Sequence, residues 1–195
     1  SVVIVTGEGR AFSSGFDLRE FAGTEASSAA SSRDQADLGR LMAEAMERMS
    51  ALTIAAVKGP CVGGGVVLAG VCDLRVAADD TVFSIPEVDL GIPLAWGGIP
   101  RLVRELGPAV TKELVLTCRP FDAAEAHSLH FLNRVVADDE LVAAAEQLAA
   151  EAENLALWLG VTDADRIDGF RDIGLDPSME MPPRRVSSSL APPSI

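Results

Sequence analysis

Val62–Gly63–Gly64–Gly65–Val66–Val67–Leu68 is typical of a tight glycine turn between a buried strand and an apolar helix. The preceding apolar segment, Thr53–Val57, supplies the strand, and the helix continues to Val71. Such a turn leaves backbone N–H groups without partners at a helix N-terminus, where the helix dipole also favours negative charge. A bound molecule can approach this backbone closely because the three glycines have no side chains. The alternative is that the glycines only let the helix pack tightly on its strand.

A second segment, near the start of the chain, also combines a buried strand with a loop that contains glycines. The apolar strand Val2–Thr6 is followed by the loop Gly-Glu-Gly-Arg-Ala-Phe-Ser-Ser-Gly-Phe-Asp-Leu-Arg-Glu-Phe at positions 7–21. In this order, the two segments resemble the crotonase family, the enoyl-CoA hydratase/isomerase superfamily. The resemblance covers about residues 2–150 and includes four further segments: Cys72–Ala77, Phe83–Gly91, Gly97–Leu102 and Thr117–Ala126.

The resemblance implies an α/β fold, a spiral of repeated ββα units that commonly assembles as a homotrimer or hexamer. Relative to that family, the chain starts directly on a strand at Ser1, without the usual N-terminal part. The likeness fades past about Asn154, where a tail rich in proline and serine follows. We therefore predict a crotonase-like core at residues 1–153 and a divergent, partly helical or disordered tail at 154–195. A truncated or frameshifted gene is one hypothesis for these ends.

Members of the family bind acyl-CoA thioesters and stabilise a thioester enolate with two backbone N–H groups. By position, these donors are the amides of Phe16 and Gly64. Two preorganised donors fit this chemistry because the loss of one typically costs about 3–4 kcal/mol of transition-state stabilisation. The resemblance implies no cofactor apart from the coenzyme A carried by the substrate. It places further substrate contacts at Ser14, Gly15, Asp17, Leu18, Arg19, Gly63, Gly65, Val67, Leu94 and Trp96.

The catalytic side chains depart from the hydratase pattern of two glutamates. The first glutamate position is Val67, whereas the second is Glu87, which is present. Valine cannot accept a proton, and one carboxylate beside an oxyanion hole suffices to move a proton between two carbons. The resemblance therefore favours isomerisation of an enoyl-CoA double bond, with Glu87 as the proton shuttle and its pKa raised by desolvation. The alternatives are a hydratase with a substituted first acid, a CoA-thioester-binding protein without catalysis, or a purely structural relative.

Several of these side chains have a second interpretation. Glu87 taken alone would be a strand-end carboxylate facing water, and Asp89 is a solvated carboxylate or a substitute acid. Asp17 matches an aspartate that shapes the loop. Arg19 lies where members carry a basic residue near the CoA phosphates, but a surface arginine fits too. Phe16 either narrows the acyl pocket or fills the core.

Composition excludes several classes of protein. The net charge of −13 and the pI near 4.5 argue against a nucleic-acid or anionic-membrane partner. The three cysteines, Cys61, Cys72 and Cys118, have no ligand-like spacing and indicate buried thiols in a reducing compartment. With no signal peptide or apolar span visible, we predict a cytoplasmic protein. His127 and His130 share one predicted helix face, but no further ligand completes a metal site, so no metal is predicted.

The remaining patterns predict alternating helices and strands. A 3-4-3-4 apolar spacing predicts an amphipathic helix whose buried side carries Leu38, Leu41, Met42, Ala45, Met46, Met49 and Leu52. Asp122 and Glu125 form a capping-box-like start to a short helix. A late strand is predicted at Leu132–Val136 and another amphipathic helix at Leu141–Leu157.

Overall fold

The computed structural model describes residues 1–17 and 29–158, with side chains described for 1–17 and 37–154. The strands are β1 (Val2–Thr6), β2 (Leu52–Val57), β3 (Pro60–Val62), β4 (Leu74–Ala78), β5 (Val82–Ser84), β6 (Phe121–Asp122) and β7 (Arg134–Val136). The helices are α1 (Ala29–Glu47), α2 (Gly64–Val71), α3 (Gly98–Thr117), α4 (Ala123–Ser128) and α5 (Leu141–Trp158), with a 3-10 turn at Asp138–Glu140. The predictions for Leu18, Arg19 and the tail beyond 158 lie outside the described residues.

The seven strands form two sheets. One sheet is parallel with the order β1-β2-β4-β7, and the other has the order β3-β5-β6, in which β5 and β6 are antiparallel. The chain therefore runs through β2, β3 and α2, and then repeats the pattern through β4, β5 and α3. This is the predicted repetition of ββα units, and it confirms the predicted fold class.

The central strands of the parallel sheet are buried on both faces, and strand alternation divides the core in two. Along β2, Ala55 and Val57 face a core shared with α2 and α3, whereas Ile54 and Ala56 face α5. All four side chains are at most 1% exposed. A nearly continuous apolar strand is expected where both faces of a parallel sheet are covered.

Most of the local predictions are confirmed, including β1, β2, the glycine-turn helix α2 and the late helix α5. Asp122 caps α4 by accepting a hydrogen bond from the Glu125 amide. The predicted strand at 132–136 is shorter, because β7 begins only at Arg134.

The predicted buried side of the first amphipathic helix is wrong. Helix α1 ends at Glu47, and Leu38 and Leu41 are 65% and 50% exposed. The inward face instead carries Gly39, Ala43 and Met46. These residues have helical spacing, but the face that they form is rotated about the helix axis from the predicted one. The physical reason is that another part of the chain packs directly on the α1 backbone at Gly39, where a larger residue would collide.

The three cysteines are free and buried, as predicted. His127 and His130 are both exposed, and no group of metal-ligating side chains occurs among the described residues. Within the same part of the chain, no helix combines the length and apolar character needed to cross a bilayer.

A cluster of three phenylalanines tests the core of the smaller sheet. Phe83 is fully buried, stacks on Phe121 at 5.2 Å between ring centroids and meets Phe131 edge-on at 5.7 Å. We expect Phe83→Ala to lower the free energy of unfolding by about 3–5 kcal/mol in urea denaturation, because the cavity cannot fully collapse. The control is Leu116→Ala, at a 68% exposed position, which should stay within about 0.5 kcal/mol of wild type. Equal losses in both variants would contradict this packing.

Candidate active site

Backbone pairing brings the loop after β1 alongside the glycine turn. Ser13 forms a parallel bridge with Cys61: its amide donates to the Pro60 carbonyl at 3.4 Å, and its carbonyl accepts from the Val62 amide at 2.9 Å. Two residues on, Gly15 has φ of +86°, and a Cβ there would lie 2.9 Å from the Val62 carbonyl oxygen. Glycine is therefore required where the two segments meet.

The glycine turn presents an amide at the start of α2. Gly63, with φ of 53°, donates its amide to the Ser84 carbonyl at 2.8 Å, while its carbonyl accepts from Val66. In contrast, no hydrogen bond from the Gly64 amide occurs within the described residues. A Cβ at Gly15 would lie 3.7 Å from this same Gly64 nitrogen. The two predicted bends thus converge at the positive end of a helix dipole.

Glu87 lies directly over the glycine turn. The turn after β5 holds its backbone, since its carbonyl accepts from the amides of Leu90 and Ile92. Its carboxylate occupies the place that a Cβ on Gly63 would need. The side chain is only 8% exposed, and its Oε2 is buried without a hydrogen-bond partner in the described part of the chain.

This environment alters the acidity of Glu87. Desolvation raises the pKa of its carboxyl above the ordinary value, and a hydrogen bond from its own backbone opposes part of the rise. Among the described residues, no other acidic side chain is buried. A buried carboxyl with a free oxygen beside an unpaired helix amide is suited to taking up and returning a proton.

Val67 forms an apolar wall where α2 meets the start of α3. It is 1% exposed on α2, and its Cγ2 lies against the backbone of Gly98 at the start of α3. Leu94 packs on the same glycine. The wall therefore provides no polar group at position 67 to hold or polarise a water molecule.

The Trp96 indole covers the next residue of the turn. Its six-membered ring faces the Cα of Gly64, so a Cβ there would lie 2.7 Å from Cζ3. The pyrrole edge of the same ring faces Gly39 of α1 closely enough to exclude any side chain there. The indole ring thus lies between α1 and α2 and contacts one glycine of each helix.

Comparison with known proteins identifies the family of this chain. The sequence model of the enoyl-CoA hydratase/isomerase family matches residues 1–157. The chain belongs to the enoyl-CoA hydratase/isomerase family. Its membership confirms the resemblance on which the site assignments were based.

Three similar proteins of this family illustrate its range. A probable enoyl-CoA hydratase of Mycobacterium tuberculosis is 38% identical over 154 residues, 79% of this chain and 58% of that protein. The peroxisomal Δ(3,5)-Δ(2,4)-dienoyl-CoA isomerase of Arabidopsis thaliana is 36% identical over 144 residues, 69% of this chain and 52% of that protein. A Thermobifida fusca structure of the enoyl-CoA hydratase type, solved in complex with CoA, is 34% identical with a TM-score of 0.73, covering 89% of this chain and 70% of that one. The chain thus spans between half and three fifths of the length of the two curated relatives.

Within this enoyl-CoA hydratase/isomerase chain, the structure brings together Gly15, Gly63, Gly64, Glu87 and Trp96. Val67 and Leu94 form the adjoining wall, and Gly65 packs on Ser13. Phe16 is half-buried, whereas Ser14 and Asp17 are exposed at the rim. Asp89 is exposed, so its solvated interpretation fits and it lies outside the buried site.

Sequence reasoning missed four residues that shape this candidate site: Ser13, Gly39, Gly98 and Arg101. Only Gly39 carried a local signal, because a glycine inside a helical pattern costs about 1 kcal/mol and indicates close packing. The others act through partners that are distant in sequence, such as Ser13 through Cys61 and Arg101 through Glu47.

The buried carboxyl predicts a pH-dependent stability difference for Glu87→Gln. Below the unfolded-state pKa of about 4.3, the carboxyl is protonated in both states and its burial carries no charge penalty. As the pH rises through the raised folded-state pKa, burying the ionised form destabilises the wild type. The variant should therefore have the higher Tm at pH 7.5, and the difference should vanish near pH 4.

The matched control is Asp89→Asn, which removes an exposed charge two residues away. Its Tm difference from wild type should be small at both pH values. A Glu87→Gln variant with a lower Tm than wild type at pH 7.5 would contradict the desolvated carboxyl.

Proposed function

We propose that this chain binds acyl-CoA thioesters and shifts an enoyl double bond with Glu87 as its single acid and base. The observation that carries the proposal is the buried Glu87 carboxyl, with an oxygen that has no described partner, next to the Gly63–Gly64 turn. Family membership supports the class of chemistry, since its members here include proteins named as hydratases and as a dienoyl-CoA isomerase.

The reaction needs one proton to be moved. Glu87 removes a proton from C2 of a 3-enoyl thioester, which forms a dienolate whose negative oxygen accepts from the amides of Gly64 and Phe16. The protonated Glu87 then returns the proton at C4, so the double bond ends between C2 and C3. No atom is gained or lost overall. Placing the oxyanion at the start of α2 supports this step, because the dipole there favours negative charge.

The raised pKa of Glu87 suits both halves of the cycle. A carboxyl of ordinary pKa would be a weak base, and its protonated form would be rare at neutral pH. Desolvation narrows the difference in pKa between the Glu87 carboxyl and the weakly acidic C2 of the substrate. It does so without a second charged group. The same desolvation limits competition from water.

The apolar wall supports isomerisation over hydration. Hydration requires a water molecule that is held and polarised, and Val67 with Leu94 offers no acceptor for it. The similarity to a probable enoyl-CoA hydratase makes hydration the second candidate. It would require another group to replace the carboxylate absent at position 67.

The remaining contacts extend the same proposal. Ser14 and Asp17 lie at the rim, next to Leu18 and Arg19 in sequence, and would meet the CoA portion of the substrate. The Thermobifida fusca neighbour solved with CoA supports a CoA portion in general. A homotrimer or hexamer is the assembly that we expect, and light scattering in solution would measure it.

Glu87→Gln tests the chemistry directly. With a 3-enoyl-CoA substrate, we expect the isomerisation rate to fall by roughly 100- to 10,000-fold, because a positioned proton-transfer group contributes about that much. The measurement is steady-state formation of the 2-enoyl product, and binding of a saturated acyl-CoA should be retained. Asp89→Asn, at an exposed position, should keep a rate within about twofold of wild type.

Other outcomes identify the alternatives. A wild-type rate in Glu87→Gln would remove this side chain from the mechanism. Faster hydration of a 2-enoyl-CoA than isomerisation of the 3-enoyl isomer would favour the hydratase candidate. Binding of both substrates without turnover would favour a CoA-thioester-binding protein.

A further inference from the structure

Trp96 is half-buried, and its position is held through its backbone. Its φ of 58° is in the left-handed region that non-glycine residues rarely adopt. Its carbonyl accepts from the Arg101 guanidinium at 2.8 Å, and the next carbonyl, of Gly97, accepts from the same nitrogen at 3.1 Å. The backbone that carries the indole is thus held in an unusual conformation by a single arginine.

Arg101 is itself anchored to α1. Its Nε and Nη2 donate to the two carboxylate oxygens of Glu47 at 3.0 and 2.7 Å. The pair is mostly buried, with Arg101 only 8% exposed, and a bidentate pair fixes orientation as well as distance. Together, Arg101 and Glu47 connect α3, the Trp96 loop and α1, the helix against which the indole packs.

The Trp96 ring closes the space beside the amide of Gly64, the proposed oxyanion donor. In the proposed pose, the thioester carbonyl meets Gly64 and its C2 meets Glu87, so the acyl chain begins next to the turn that Trp96 covers. The Trp96 ring covers Gly64 and reaches across to the backbone of Gly39, leaving room for a side chain at neither glycine. A ring held at both edges and through its backbone cannot move aside without breaking several contacts.

We infer that Trp96, wedged between Gly39 and Gly64 and held by Arg101 and Glu47, limits the acyl pocket to short chains. The inference rests on the proposed function, because it assumes a thioester carbonyl at the Gly64 amide. It assigns the substrate class as short-chain acyl-CoA. Trp96 acts as the specificity-determining residue, and Arg101 acts as a positioning residue through it.

The first test is the affinity for saturated acyl-CoA thioesters, which bind without turnover. Calorimetric titration of the wild-type chain should give affinities that rise from acetyl-CoA to butanoyl-CoA. From butanoyl-CoA to octanoyl-CoA, the affinities should stay level or fall. In Trp96→Ala, each added methylene should gain up to about fourfold, so octanoyl-CoA should bind at least about tenfold tighter than butanoyl-CoA. Trp96→Phe should lie between the two, and the affinity for free CoA should be equal in all three.

Leu116→Ala is the matched control, because it truncates an exposed apolar residue near the C-terminal end of α3, whereas Trp96 precedes the N-terminal end of that helix. It should keep the wild-type dependence on chain length. An unchanged chain-length profile in Trp96→Ala, with wild-type affinity for free CoA, would overturn the inference. If the wild-type chain binds neither CoA nor any thioester, the proposed function fails first, and the inference fails with it.

A second measurement does not depend on the fold of a Trp96 variant. The chain has two tryptophans, so Trp158→Phe leaves Trp96 as the only indole that fluoresces. Butanoyl-CoA should change its emission, whereas free CoA should leave it nearly unchanged, because only the acyl chain reaches the ring. Equal responses to both ligands, or none to butanoyl-CoA, would place the acyl chain elsewhere.

Arg101→Lys provides the test of positioning. Lysine keeps the charge but cannot form the bidentate pair with Glu47 while also reaching the Trp96 carbonyl. The variant should relax the chain-length limit in the same direction as Trp96→Ala but by a smaller factor. A change in overall stability with an unchanged length profile would assign Arg101 a merely structural role.

Discussion

The candidate site depends on one backbone pairing, the bridge between Ser13 and β3. This pairing joins two segments about fifty residues apart in sequence, and its hydrogen bonds run from Ser13 to Pro60 and from Val62 to Ser13. Glycine is needed on both sides, at Gly15 and at Gly63, because a Cβ at either would meet the opposing segment or the Glu87 carboxylate. Under the proposed function, backbone amides serve as the oxyanion donors, and there is no room for a side chain at Gly15 or at Gly63.

The other end of α2 is held by a buried arginine. Arg75, on β4, donates to the carbonyls of Ala69 and Cys72 at the C-terminal end of this helix, and it pairs with Glu105 of α3 at 2.6 Å. A cation at the C-terminus of a helix complements the dipole whose positive end lies at Gly64. Its guanidinium also lies 5.0 Å from the Phe131 ring centroid. Arg75 thus fixes the C-terminal end of α2, whereas Glu87 and Trp96 cover its N-terminal end.

The sequence was sufficient for the elements with strong local patterns and insufficient for contacts between distant residues. The apolar run of β2, the glycine turn and the Asp122 cap were predictable because each depends on residues within a few positions. The smaller sheet was not predicted, since its strands are two or three residues long and carry almost no periodicity. Helix α1 shows the same limit. Its spacing was correct, but the buried side is determined by Trp96 at Gly39, which local hydrophobicity does not encode.

The contacts of Val67 also constrain how this site could acquire a second carboxylate. Its Cγ2 already lies against Gly98, and Leu94 fills the space beside that glycine, so a longer side chain extending in that direction would have to displace one of them. Two carboxylates sharing a desolvated site cannot both ionise readily, because each raises the pKa of the other. A single substitution at position 67 would therefore combine steric strain with unfavourable electrostatics. Under the proposed function, two-carboxylate chemistry here would need changes in the loop that carries Leu94 and Trp96 as well as at position 67.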